Sequence, residues 1–149
     1  MADTPKHSVS VAGIVIDDRD RVLVIQRRDN GQWEPPGGVL ELHETPAAGV
    51  AREVFEETGV EAAVDRLTGA YKNMPRGIIS LVFRCHPLST STTSSDEATE
   101  ARWVHRSEIP QMMTEAYAIR VSDAFLEGAP AVRAHDGKSL VNSSEPADA

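Results

Sequence analysis

The sequence predicts a mixed α/β protein of the α+β kind, an α/β/α sandwich built on a mixed sheet. Three observations carry that prediction. Strand-like runs recur at 8–17, 21–28, 77–87 and 98–106, the first with β-branched residues in near alternation. One well-capped helix sits between the second and third runs, and a second helical stretch follows the fourth. At 149 residues and 40% hydrophobic, the chain has enough apolar surface for one core and little else. Strands flanking a central helix and closed by a terminal one are expected to layer as helix, sheet, helix.

The elements follow in order. SVSVAGIVID and RVLVIQRR, joined by the Asp-rich turn at 17–20, are expected to pair as a hairpin. DNGQW then turns the chain into Pro35-Pro36-Gly37-Gly38. Residues 46–58 should form a helix, because Thr45 is an N-cap residue, Pro46 fits the first helical position and Gly59 suits a left-handed terminus. A 3.6-residue period puts Ala47, Ala51, Val54, Phe55 and Thr58 on one face, with Glu53, Glu56 and Glu57 on roughly the opposite one. VEAAVDRLTGAYKN is apolar enough for a strand broken at Gly69, and GIISLVFRCHP is a strand ended by Pro87. The Ser/Thr-rich stretch 88–96 is too polar to bury and reads as a plain hairpin connection to the strand ATEARWVHR, with a mobile lid as the alternative. SEIPQMM reads as a short helical turn, and TEAYAIRVSDAFLEG as a longer helix burying Ala116, Ile119, Ala124 and Phe125. The resulting division is a domain over 1–128 and a flexible C-terminal tail over 129–149, where apolar content is low.

Composition narrows the chemistry. A formal net charge of −8 disfavours a nucleic-acid polymer as partner, since that binding is driven by Lys and Arg neutralising phosphates. No apolar run reaches the eighteen or so residues of a membrane span, and MADTPKHSVS lacks the apolar core of a secretory signal. The expected location is therefore cytoplasmic. Cys85 is alone, which leaves no internal disulfide and no cysteine-based zinc site, and its apolar setting marks an inert strand residue. The five histidines show no ligand spacing, and Gly137-Lys138-Ser139 fails as a phosphate loop because Val132 stands where the first glycine should be.

Glu53, Glu56 and Glu57 place three carboxylates within five residues. Like charges three and four apart on a helix cost about 0.2–0.5 kcal/mol per pair. A hard divalent cation such as Mg²⁺ relieves that repulsion while bridging carboxylates to substrate phosphates. On three glutamates alone a solvated acidic face is the more ordinary reading, and the residues around them decide the matter.

Gly38, Glu44, Arg52, Glu53, Glu56, Glu57 and Gly59, with aliphatic Val54 and Val60, resemble the Nudix box by identity and spacing. Arg27, Trp33 and Pro36-Gly37-Gly38 look like that family's lead-in, and Trp103-Val104 like its later strand, so the resemblance spans about residues 8–126. Pro35 departs mildly, standing where a bulky apolar residue is more usual. The resemblance implies the Nudix-type α/β/α sandwich and Mg²⁺ (or Mn²⁺)-dependent hydrolysis of a nucleoside diphosphate linked to another group. It implies Glu53 and Glu57 as main metal ligands, Glu56 as a further ligand or the group orienting water, and a backbone carbonyl near Gly38 turned to the metal. Gly37 and Gly38 would allow backbone conformations closed to other residues. Arg52 sits four residues before Glu56, a spacing that allows an ion pair, and Glu44 is expected to support the loop or helix.

Outside the box, Glu97 and Glu100 precede the Trp103 strand, where the resemblance implies another metal-binding or base carboxylate, with Glu97 preferred at the loop edge. Arg27 and Arg28 are candidates for a substrate phosphate. Trp33 and Tyr71 are candidates to stack on a base, set against core packing roles for both. The expected partner is a small nucleotide, with homodimerisation open. Within the resemblance, Pro75 stands fifteen residues after Val60, a spacing associated with the family's ADP-ribose members, while compact size leans toward nucleoside triphosphates. The alternative function is a non-catalytic nucleotide sensor on the same fold, which would not need every box carboxylate.

Overall fold

A computed structural model describes residues 3–141. Its strands are β1 (Ser8–Val15), β2 (Arg21–Arg27), β3 (Trp33–Glu34), β4 (Gly37–Val39), β5 (Ala62–Asn73), β6 (Ile78–Pro87), β7 (Ala98–His105), β8 (Ala131–His135) and β9 (Leu140–Val141). Its helices are α1 (Pro46–Thr58), α2 (Ile109–Met112) and α3 (Glu115–Ala124). A six-stranded sheet runs β4-β1-β6-β5-β8-β9 and a three-stranded one β3-β2-β7. The larger sheet is mixed: β1 is parallel to β6 and β5 to β8, while the other pairs are antiparallel.

Alternation along β1 sends Val11 and Val15 into one core and Ala12 and Ile14 into another. The first core is closed by Val50 and Val54 of α1, the second by Val121 and Ala124 of α3. Strand β2 divides the same way, Leu23 facing the first core and Val22 and Val24 the second. Two faces covered by different helices make the expected α/β/α sandwich. Helix α1 lies so close to β1 that a Cβ on Gly13 would stand 3.0 Å from both Val50 and Val54.

The ends of α1 are those its sequence predicts. Thr45 is extended and its hydroxyl accepts from the Ala48 N–H at 3.3 Å, Pro46 opens the helix, and Gly59 ends it at φ +78° while donating to the Phe55 carbonyl at 2.8 Å. Its faces are rotated from expectation. Glu53 and Glu57 are buried beside Val50 and Val54, whereas Phe55 is exposed. The inward face thus takes two of the three acids, and the reason lies in the site below.

Two further expectations are corrected. β1 and β2 belong to different sheets and share only the isolated bridge Ile16 to Val22, because each strand finds a longer partner, β6 for one and β7 for the other. The segment after Gly128 is not a loose tail through residue 141. Strand β8 pairs with β5 over Gly69–Asn73, and Arg133 clasps buried Asp123 with two hydrogen bonds of 2.8 Å. Backbone pairing and that ion pair anchor a stretch whose apolar content is too low to announce a strand. Residues 142–149 of the expected tail lie outside the described residues.

The break expected at Gly69 appears as register shifts between Val64 and Arg66 and between Leu67 and Gly69. The Ser/Thr stretch is a largely exposed connection tied down by hydrogen bonds, the Thr93 N–H donating to the Thr58 carbonyl and the Trp103 indole to the Thr90 carbonyl.

Candidate active site

A cleft of about 830 Å³ opens between α1, the β3–β4 segment and the loop before β7. Eight carboxylates and three arginines line it. Within it Glu53, Glu57 and Glu97 each present an oxygen, all within 4.8 Å of one another, two from the helix and one from the loop edge.

The chain holds each of them in place. Glu57 accepts a 2.7 Å hydrogen bond from the Gly37 N–H, which ties α1 to β4. Burial pushes its carboxyl up to about 8; the Gly37 bond offsets part of this, and the charges of Glu53, Glu97 and Glu34 add to the rise. Glu53 is likewise raised by burial, against the pull of Arg52, which donates to it at 2.9 Å. Arg28 fixes the loop end: its backbone N–H donates to the Glu97 carbonyl at 2.9 Å, and its guanidinium to the carbonyls of Ser95 and Asp96 at 2.9 and 3.1 Å.

Arg52 is the hub of the helix. It grips Glu44 through two bonds of 2.9 and 2.6 Å and reaches Glu56 at 3.2 Å. That fork holds the Glu44 carboxyl down to about 2, with the Glu41 N–H helping. Glu44 therefore supports the loop, as its position suggested. Glu56 stays exposed at the cleft wall, outside the three-carboxylate cluster.

Gly37 and Gly38 have ordinary strand backbones, not the special conformations expected, since neither has a positive φ. What they supply is close approach. A Cβ on Gly38 would stand 2.6 Å from Glu53 Oε1, and one on Gly37 would run into the Val11 carbonyl.

Arg27 lines the cleft but is held by Asp29 at 2.6 Å and Glu34 at 3.3 Å. Trp33 is away from the cleft, half-buried under the Arg102 guanidinium at 4.7 Å. Tyr71 is fully buried and donates to Asp123 at 2.7 Å, so it cannot stack on a base. Both aromatic assignments are corrected toward packing. Glu100 pairs with Arg102 at 2.8 Å and does not line the cleft. Sequence reasoning passed over Glu34, which lines the cleft with its carboxyl raised by burial. An acid directly before Pro35-Pro36-Gly37-Gly38 was the available signal.

The three converging carboxylates offer only hard oxygen donors, and their mutual repulsion, with the burial of Glu53 and Glu57, is what a divalent cation would relieve. The donor set fits Mg²⁺ or Mn²⁺.

Comparison with known proteins agrees with this geometry. The family profile described as NUDIX domain matches residues 6–124. A MutT-like protein of Streptomyces ambofaciens is 56% identical over 137 residues, 92% of this chain and 89% of that one. An ADP-ribose pyrophosphatase of Methanocaldococcus jannaschii is 35% identical over 112 residues, 70% of this chain and 66% of that one. Among solved structures, a NUDIX hydrolase from Nitrosomonas europaea superposes with a TM-score of 0.77 at 22% identity, over 89% of this chain and 82% of that one, a likeness of fold.

Proposed function

The chain belongs to the Nudix hydrolase family and is a Nudix pyrophosphohydrolase, and from that premise we propose that it hydrolyses a nucleoside diphosphate linked to another group, using a divalent cation held by Glu53, Glu57 and Glu97. The observation that carries this reading is the convergence of those three carboxylates in one cleft. The relatives named above bracket the substrate class, one called MutT-like and one an ADP-ribose pyrophosphatase. A nucleoside triphosphate and ADP-ribose share the diphosphate linkage that the cleft would receive.

When bound, Mg²⁺ or Mn²⁺ would neutralise charge on the diphosphate and lower the pKa of an attacking water. The chain's own residues do the rest. Glu56, exposed at the cleft wall and steadied by Arg52, would orient water toward phosphorus. Arg52 positions Glu53 and Glu56 at once and keeps Glu44 bound to the loop. Arg28 sets the Glu97 edge, and Arg27 offers a guanidinium to a phosphate if its hold on Asp29 loosens. A sensor with this fold would have no use for the full carboxylate set, all of which is present.

The test is a nucleotide panel assayed for monophosphate release. Turnover should require Mg²⁺ or Mn²⁺ and vanish in chelator. Undiminished hydrolysis in chelator, with residual metal shown absent, would refute the reading.

A further inference from the structure

A second cavity of about 260 Å³ adjoins the acidic cleft, sharing Arg27, Glu34 and Gly37–Val39 with it. Its charge is reversed: three arginines line it against one carboxylate. At its wall sits Arg120 of α3, 6% exposed. Among the described residues this guanidinium makes no ion pair, and its Nε has no hydrogen-bond partner. The nearby carboxylate Asp123 is already engaged by Tyr71 and Arg133. The rings of Tyr117 and Tyr71 lie 4.6 and 5.1 Å from the guanidinium carbon, which steadies the cation without using its N–H donors.

The polar atom at hydrogen-bond distance from Arg120 deepens the imbalance. His135 Nε2 lies 3.4 Å from Arg120 Nη2. Its other nitrogen, Nδ1, accepts a 3.0 Å hydrogen bond from the Gly137 N–H, so the ring proton belongs on Nε2. Two donors therefore face each other. A buried guanidinium and an imidazole N–H line one cavity, and among the described residues neither donates to a carboxylate or a carbonyl. Glu34, the carboxylate of that cavity, acts on Arg120 through space while bonded to Arg27. The arrangement is costly unless a ligand supplies an acceptor.

We propose that this cavity is an oxyanion subsite, in which Arg120 and His135 donate to a phosphate or carboxylate group carried by the substrate, and the exposed guanidinium of Arg76 at its mouth adds a second positive charge. An anion supplies the missing acceptor and offsets a positive charge that Glu34, shared with Arg27, balances only in part. The subsite deepens the proposed hydrolase reading, on which it rests for the identity of the molecule bearing the oxyanion. A substrate seated by its diphosphate in the acidic cleft would extend its further group here, so the preferred substrates carry an additional oxyanion on that group.

The subsite is tested apart from turnover by titrating inorganic phosphate into the full chain in chelator and following the Arg120 Nε–H and His135 Nε2–H resonances. Both should shift saturably. Arg120→Gln should weaken the phosphate affinity by about tenfold or more, and Arg76→Ala by a smaller factor, while Glu57→Gln leaves it unchanged. If Arg120→Gln does not fold, the wild-type shifts and Arg76→Ala decide. No shift with phosphate, or shifts that respond to guanosine and not to phosphate, overturn the oxyanion assignment in favour of no ligand or a neutral acceptor. In turnover, Arg120→Gln should raise KM selectively for whichever of two diphosphate substrates carries the extra phosphate. Equal effects on both would also overturn it. A chain that binds phosphate at Arg120 yet hydrolyses nothing would refute the hydrolase reading alone.

Discussion

Glu57 Oε1 accepts a 2.7 Å hydrogen bond from the Gly37 N–H, so the most deeply placed acid of the cleft is also the tie between α1 and β4. Its carboxyl, pushed up to about 8 chiefly by burial, binds a proton in the folded metal-free protein over a pH range where the unfolded chain has lost it. Stability contributed by this group is therefore full below the ordinary carboxyl pKa of about 4.5 and is lost as pH rises toward about 8. His135 works in the opposite sense, since burial and Arg120 lower its pKa, so the comparison must isolate Glu57. In chelator, the Tm advantage of Glu57→Gln over wild type should grow between about pH 5 and pH 8 and shrink when wild type is given Mg²⁺. A constant difference measured by calorimetry across that window would refute the assignment.

The two glycines beside this bond should fail differently. Gly38→Ala drives a methyl against the Glu53 carboxylate, the movable end of a side chain, so metal affinity should drop by about tenfold or more while the fold persists. Gly37→Ala meets the Val11 carbonyl and the Ala12 backbone, which cannot give, and should lower stability by about 1–3 kcal/mol. Calorimetric metal titration and denaturant melts of the pair separate the two outcomes.

These contrasts show what the sequence could carry. The caps of α1 were readable because Thr45, Pro46 and Gly59 act locally, through their own hydroxyl, ring and left-handed φ. The box acids were readable because helical spacing alone brings Glu53 and Glu57 to one side. Their burial was not, because it depends on Gly37 and Gly38 arriving from another strand. Glu97 was only a preference, since a loop distant in sequence reaches the helix through Arg28, a long-range contact that no local pattern encodes. The choice for Tyr71 between stacking and packing was open for the same reason: its hydroxyl partner Asp123 lies 52 residues away.

Arg52→Lys should be far from conservative. The guanidinium serves Glu44, Glu53 and Glu56 together, and an ammonium cannot reproduce the fork on Glu44. Turnover should fall by about 10–100-fold with a stability loss of about 1–3 kcal/mol. Steady-state kinetics beside urea melts check it; wild-type kcat/KM in the lysine variant would show that Arg52 does not organise the cleft.

Arg28→Ala should act on the loop without touching the helix. Losing the bonds to Ser95 and Asp96 frees the edge bearing Glu97, so the Mg²⁺ concentration for half-maximal rate should rise by about tenfold. Thermal stability should change little, because these contacts are exposed. An unchanged metal requirement would remove Arg28 from the support of Glu97.

Truncation separates the two parts of the C-terminal segment. Deleting residues 142–149 should leave the Tm and turnover near wild type, since Asn-Ser-Ser-Glu-Pro-Ala-Asp-Ala has no large apolar side chain to repay its ordering entropy of about 1–2 kcal/mol per residue. Deleting residues 129–149 instead removes β8 from the edge of β5 and strips Arg133 from Asp123, a carboxylate buried against Tyr71. Losing the ladder of β8 and the half-exposed partner of a buried carboxylate together removes several hydrogen bonds, one of them charge-assisted at about 1.5–3 kcal/mol, so the shorter chain should melt many degrees lower or fail to fold. Equal melting temperatures for the two truncations would mean that β8 adds nothing to the sheet, and a large loss from the first would place a docking role in the last eight residues.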